Sequence, residues 1–152
     1  MMNKEDRKIL RDVCFSVFEQ LAFMFGDELD EDDMEINADT FLRASMGFKG
    51  EMQGTVSIVV PETISTTLAA NILGLDETQE VYKETAVDAL KELLNTIVGR
   101  LMTEIFGEDA VVDLTIPVTE VLDRDAWDAL VEDKEYLAID IDDNPVLVSL
   151  QM

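Results

Sequence analysis

The longest uninterrupted stretch of helical periodicity in the chain runs over residues 85–106, TAVDALKELLNTIVGRLMTEIF. Its apolar residues recur every three or four positions, as on one face of an amphipathic helix. The residues that make up this face are Ala86, Leu90, Leu94, Ile97, Leu101 and Ile105, with Leu93 and Val98 beside them. A helix with such a face must pack against other elements. The rest of the chain is therefore expected to be organised around it.

The opposite side of the same helix carries a line of small polar residues. At about 100° per residue, Asp88, Glu92, Asn95 and Gly99 fall within an arc of about 60°; we call these four residues the polar line. A glycine inside a helix costs about 1 kcal/mol relative to alanine, which suggests that something approaches the backbone closely at Gly99. Two interpretations remain open from spacing alone: a solvated face beside a packing glycine, or a functional surface.

Composition restricts the class of protein. A chain of 152 residues fits one domain spanning 1–152. Its one cysteine, Cys14, lies in an apolar helical pattern and cannot form an internal disulfide, which favours a reduced, cytoplasmic setting. We find no apolar run of about 18 residues and no signal-peptide pattern near the N-terminus, so a soluble cytoplasmic protein is expected.

Charge and the lack of histidine exclude several functions. The formal net charge of −23 repels phosphate backbones and anionic lipids, which argues against nucleic acid and membrane as partners. Without histidine, Ser-His-Asp and Cys-His catalysis cannot be built from this chain, and a zinc site would have one cysteine and carboxylates to draw on. The chemistry that remains must use carboxylates, amides or hydroxyls.

The polar line resembles a known signature. Asp88-x-x-x-Glu92-x-x-Asn95, followed by Gly99, is similar to the D/S-x3-E-x2-N motif of the CheC/CheX/FliY phosphatases of bacterial chemotaxis. The segments that match the CheX branch beside this motif are 48–61, 72–74 and 114–117. The resemblance covers most of the chain. It implies a single CheX-like phosphatase domain whose substrate is the aspartyl phosphate of a CheY-like receiver.

The resemblance also implies roles for the residues of the polar line. Asn95 would orient the attacking water, and Glu92 would contact the active-site lysine of the receiver. Asp88 and Gly99 would contribute to binding the partner. The receiver would hold Mg²⁺, so this chain is expected to need no cofactor and no metal of its own.

A helix over residues 5–25 is predicted at the start of the chain, ending at Gly26. The resemblance implies that it is the pseudo-symmetric mate of the long helix, which in CheC-type relatives can carry its own E-x-x-N. Here Glu19 is followed by Ala22, and Ala22 has no carboxamide to hold a water. One active site is therefore expected. The phenylalanines of this segment are interpreted as core residues.

Alternating and turn-forming residues predict the remaining elements. These are strands near 38–48 and 52–60 forming a hairpin, a helix over 62–73 between Pro61 and Gly74, a polar link over 75–83, a strand over 111–122 with Pro117 inside at an edge or bulge, and a hairpin of 136–141 with 146–150. Helices and strands in this order predict an α/β (α+β) two-layer domain, with long helices on a largely antiparallel sheet.

Two acidic segments allow other interpretations. Residues 27–35, DELDEDDME, lack the spacing and the turn glycine of a calcium loop and are predicted to be a solvated connector. Residues 123–134 are expected to be irregular, with Trp127 as their anchor. The alternatives to a phosphatase are a receiver-docking module without catalysis and an acidic divalent-cation-binding protein built on 27–35 and 123–143.

Sheet edges predict a homodimer. The strand at 52–60 contains no proline and little charge, and an unprotected edge invites pairing with a second chain. CheX relatives dimerise, so the resemblance points the same way. We therefore expect two copies joined along strand edges, with both polar lines facing outward.

Overall fold

The computed structural model describes residues 2–29, 34, 36–75 and 83–152. Within these ranges the chain forms four helices and seven strands. The helices are Lys4–Ala22 (α1), Glu62–Leu73 (α2), Lys83–Phe106 (α3) and Arg124–Val131 (α4). The strands are Gly26–Glu28 (β1), Thr40–Lys49 (β2), Gln53–Pro61 (β3), Asp113–Leu114 (β4), Val118–Asp123 (β5), Tyr136–Ile141 (β6) and Asn144–Gln151 (β7).

The strands form one sheet in the order β1-β6-β7-β3-β2-β4, with β5 also paired to β2. Every pairing in this sheet is antiparallel. Long helices on an antiparallel sheet were predicted, and this prediction is confirmed. The hairpins β2-β3 and β6-β7 were also predicted correctly.

Side-chain alternation along the strands separates two cores. Leu42, Ala44, Met46 and Phe48 of β2 point to the sheet face that α1 and α3 cover. Phe41 points to the other face, where α4 packs. The larger core lies under α3, which buries Ala86, Ala89, Leu90, Leu93, Leu94, Ile97, Val98, Leu101 and Met102. The position of α3 is therefore fixed by its whole apolar face.

The first helix ends earlier than predicted. It stops at Ala22, and Phe23 takes a left-handed conformation with φ 54°. The Phe23 N–H donates to the carbonyl of Glu19 (3.2 Å) and the next N–H, of Met24, donates to the carbonyl of Phe18 (3.1 Å). The first of these bonds, from a left-handed residue to the carbonyl four residues earlier, is that of an αL C-cap motif. The predicted stop at Gly26 is wrong because this motif closes the helix first.

The phenylalanines of this segment do not all belong to the core. Phe18 is fully buried and Phe15 is partly buried against the core. Phe23 and Phe25 are 70% and 62% exposed. The prediction that these residues are core is therefore wrong for two of the four, because both follow the end of the helix and do not share its buried face.

A helix replaces the irregular segment predicted at 123–134. Asp123 caps the N-terminus of α4, since its side chain accepts a hydrogen bond from the Ala126 N–H (2.8 Å). Trp127 is buried and stacks on Phe41, with 4.4 Å between ring centroids. The role of Trp127 as an anchor is confirmed, whereas the prediction of irregular structure is wrong.

The strand predicted at 52–60 is not an edge. As β3 it pairs with β2 on one side and with β7 on the other, so the edge on which the dimer argument depended does not exist. The sheet ends at β1 on one side and at β4 and β5 on the other. Pro117 separates β4 from β5, which agrees with its predicted edge position.

Turn residues set the remaining boundaries. Helix α2 lies between Pro61 and Gly74, as predicted: Pro61, the last residue of β3, is its N-cap, and Gly74 ends it at φ 69°. Asp142 and Asp143 both have positive φ (48° and 66°), so they form the two-residue hairpin turn and β7 begins at residue 144, not 146. Residues 27 and 28 of the predicted connector lie in β1. Residues 30–33 and 35 of that connector, and 76–82 of the link, lie outside the described residues.

Candidate active site

The polar line is exposed along α3, as the sequence predicted. Asp88, Glu92, Asn95 and Gly99 are all exposed, while the apolar face of the same helix is buried against the sheet and its neighbours. The helix is held on three sides, by α1, α2 and the sheet. These four residues therefore lie on the outer surface of a firmly packed element.

The two central side chains of the polar line are available to a partner. In the part of the chain that the structure describes, no side chain forms a hydrogen bond or ion pair with the Asn95 carboxamide or the Glu92 carboxylate. The Thr96 hydroxyl donates to the Glu92 backbone carbonyl at 3.0 Å and leaves the carboxylate unengaged. One carboxamide able to donate and accept, and one carboxylate able to meet a cation, thus lie about one turn apart.

Gly99 has no close neighbour inside the protein. A Cβ at this position would meet nothing within 4 Å, so the interpretation as a packing glycine is wrong. Gly99 borders two surface cavities, one of about 450 Å³ shared with α1 and one of about 170 Å³ shared with residues 107–114. The backbone at Gly99 is open to approach from outside the protein.

Arg100 is a candidate functional residue that the sequence pattern did not indicate. Its guanidinium donates to Ser16 Oγ (3.1 Å) and to Gln20 Oε1 (2.6 Å), and so connects α3 to α1. It forms no ion pair with a carboxylate of the described residues. The polar line was assigned from α3 alone, and the partners of Arg100 lie on a helix 80 and 84 residues earlier.

The first helix offers no equivalent pair. Glu19 is exposed, but Ala22 is fully buried. Its carbonyl accepts a hydrogen bond from Asn71 Nδ2 at 2.8 Å, at the junction of α1 and α2. The position that corresponds to Asn95 in this helix therefore faces inward, and of these two helices α3 is the one that presents a Glu–Asn pair at its surface.

The alternative of a divalent-cation-binding protein needs clustered carboxylates. No group of three or more Asp, Glu or Cys side chains among the described residues is placed to hold a metal ion. Within 123–143, burial raises the pKa of Asp140, and the neighbouring Asp143 carboxylate raises it further.

Cys14 is fully buried, and burial raises its pKa to about 12, so its thiol is protonated and shielded. None of the helices described here is long and apolar enough to cross a membrane.

Comparison with solved structures identifies the fold. The crystal structure of CheX from Desulfovibrio desulfuricans matches with a TM-score of 0.67 at 16% identity, over 96% of this chain and 97% of that one. CheX from Vibrio vulnificus matches with a TM-score of 0.70 at 14% identity, over 99% and 98%. The CheX–CheY–BeF3–Mg²⁺ complex from Borrelia burgdorferi matches with a TM-score of 0.61 at 18% identity, over 95% and 97%. The fold is that of the CheX, CheC-like and FliY proteins.

The sequence assigns the family within this class. Residues 42–141 match the family model described as chemotaxis phosphatase CheX. The chain belongs to the CheX family of chemotaxis phosphatases. No curated protein matches the chain in a sequence comparison.

Proposed function

We propose that this protein hydrolyses the aspartyl phosphate of a CheY-like receiver domain. One observation carries the proposal: Asn95 is exposed on α3 with no side-chain partner among the described residues, about one turn after the exposed Glu92. Membership of a phosphatase family supports it, and so does the similarity to a CheX–CheY complex.

Hydrolysis of the aspartyl phosphate depends on a correctly positioned water more than on a covalent bond to the phosphatase. A water attacks the phosphorus, the bond between phosphorus and the aspartyl oxygen breaks, and a free aspartate and inorganic phosphate result. The Asn95 carboxamide can accept a hydrogen bond from this water and donate another, and it stays uncharged near neutral pH. Asn95 would therefore hold the water in line with the bond that breaks.

The other residues of the polar line would bind the partner. The Glu92 carboxylate would contact the active-site lysine of the receiver, and this contact would fix α3 over the phosphoryl group. Asp88 and Gly99 extend the contact in both directions along the helix. The receiver would hold Mg²⁺, so this chain would act without a cofactor of its own.

A dephosphorylation time course tests the proposal. Candidate receivers phosphorylated by acetyl phosphate are followed with and without the protein, and release of inorganic phosphate is measured. Faster loss of the phosphoryl group supports the phosphatase. A receiver that binds without faster hydrolysis would instead indicate the docking module without catalysis.

Gly99→Ala is expected to separate stability from activity. Because a Cβ at this position meets open space, alanine should raise the free energy of unfolding by about 1 kcal/mol through helix propensity. The same methyl group would obstruct a partner that approaches the backbone, so dephosphorylation should slow. Chemical denaturation and the time course check the two effects. An activity equal to wild type would remove Gly99 from the binding surface.

We also propose that the protein is a homodimer joined through β5. This strand pairs with β2 and lies at the edge of the sheet. It exposes Val118 (64%) and Val121 (54%), and such an apolar edge is suited to pairing with a second copy. Because two chains of net charge −23 repel each other, the dimer should tighten as salt increases.

Sedimentation velocity at near-physiological salt checks the dimer. Val121→Glu should convert it to a monomer, because it adds a carboxylate to each side of an apolar contact. Leu73→Glu is the matched control, since Leu73 is equally exposed but lies at the end of α2. A wild-type protein that stays monomeric at tens of micromolar would contradict the dimer and leave the catalytic proposal intact.

A further inference from the structure

We propose that the receiver docks on the C-terminal end of α1 as well as on α3, with Phe23 as its apolar anchor and Arg100 as a local positive charge. This inference rests on the proposed function, because it names a further surface through which the same partner binds. The surface comprises Phe23, Phe25 and Arg100, and we call it the α1 docking surface.

The α1 docking surface lies beside the polar line. Arg100 of α3 binds Ser16 and Gln20, while residues 9 and 12 share a cavity with residues 103 and 104, so α1 and α3 run antiparallel. Phe23 comes seven residues after Ser16, and an equal step back along α3 from Arg100 reaches about residue 93. The same count from Gln20 reaches about residue 97, so Phe23 lies level with the stretch of α3 around Asn95.

Phe23 is unfavourable for the isolated protein in two respects. Its left-handed conformation (φ 54°) is unfavourable for a residue with a Cβ, and glycine is the usual residue at this position of a helix C-cap. Its ring is also 70% exposed to water. The next residue, Met24, is buried in the core, whereas Phe23 is not among the residues packed against that core. Phe23 lowers the stability of the isolated protein and lies next to the candidate active site. A role in binding a partner explains why a phenylalanine stands at this position.

The backbone on both sides of these rings is fixed. Two N–H bonds hold the end of α1, and Met24 is buried in the core. The Phe25 N–H donates to Asp142 Oδ1 (2.9 Å), and the Asp142 N–H donates back to the Phe25 carbonyl (2.9 Å). The two exposed rings thus project from an ordered turn. An aromatic anchor held in this way loses little conformational entropy when a partner covers it.

The local positive charge of Arg100 favours the receiver as the partner that binds this surface. A net charge of −23 repels a partner that carries a phosphoryl group, so attraction must come from short-range contacts. Arg100 supplies a guanidinium that no carboxylate of the described residues neutralises. A positive charge and an apolar anchor next to the polar line are complementary to an acidic, phosphorylated partner.

Phe23→Gly gives the sharpest test. Glycine removes the ring and suits the left-handed position, so the midpoint of thermal unfolding should stay unchanged or rise. The affinity for CheY activated with BeF3 and Mg²⁺ should fall about tenfold or more, as expected for the loss of an aromatic anchor. With phosphorylated CheY, KM should rise by a similar factor and kcat should change much less. Met52→Gly is the control, because Met52 is an exposed apolar residue in the β2-β3 turn.

The outcomes separate this inference from the proposed function. If wild-type protein hydrolyses the receiver phosphate and Phe23→Gly leaves both KM and affinity unchanged, the α1 docking surface is refuted while the phosphatase stands. If Met52→Gly weakens binding as much as Phe23→Gly, the effect is not specific to this surface and the inference is also refuted. Failure of the wild-type protein to act on any receiver would refute the proposed function itself. A rise in KM that is confined to Phe23→Gly supports the inference.

Discussion

Asn95→Ala should lower the rate of receiver dephosphorylation by about 10²-fold or more, which is the effect of losing one group that positions a reactant. Stability should barely change, because the carboxamide is exposed and unengaged in the described part of the structure. Phosphate release under single-turnover conditions is the appropriate measurement, since it reports on chemistry separately from binding.

Two further variants sharpen this prediction. Asn95→Gln keeps the carboxamide but displaces it by one methylene, so an intermediate loss of rate is expected. Asn37→Ala removes an exposed asparagine outside the polar line and should leave the rate at the wild-type value. Hydrolysis by Asn95→Ala at the wild-type rate would show that another group positions the water.

Glu92→Lys should abolish dephosphorylation, whereas Glu92→Gln should retain part of it. A lysine at this position would face the lysine of the receiver, and like-charge contact costs several kcal/mol, or about 10³-fold or more in kcat/KM. Glutamine keeps the size and a hydrogen-bond acceptor but loses the charge, so the complex should weaken while chemistry continues. Titration with activated CheY and steady-state kinetics distinguish the two effects.

Glu84→Lys is the matched control for this pair of variants. Glu84 is an exposed glutamate in the first turn of α3, and its replacement changes the net charge by the same amount. If Glu84→Lys lost as much activity as Glu92→Lys, the effect would come from overall charge. Normal turnover by Glu92→Lys would contradict the proposed contact with the receiver lysine.

Periodicity predicted the elements whose pattern is long. The apolar face of α3 repeats over six turns, so both the helix and its exposed polar line followed from the sequence. The hairpins followed from alternation and turn residues. In each case the residues that define the element lie within a short stretch of chain, so their spacing can be read directly from the sequence.

The errors concern short elements and distant pairings. Helix α4 is only eight residues long and rich in charge, although Asp123 as a cap and the spacing of Trp127 from Leu130 were available as signs of a helix. The central position of β3 depends on its pairing with β7, about 90 residues later, which spacing does not reveal. Open space around Gly99 and the contacts of Arg100 with α1 likewise depend on what lies next to them in three dimensions.

The buried position of Ala22 bears on how this protein can evolve. An asparagine there would have to place a carboxamide inside the junction of α1 and α2, where burial without a partner costs free energy, while Asn71 already occupies the carbonyl of that residue. A single substitution in α1 would therefore lower stability before it gave any second catalytic surface. Recovery of a second site needs several coordinated changes at this junction. On the proposed function, chemistry would stay confined to α3, whereas the exposed surface of α1 would be free to change for recognition of a partner.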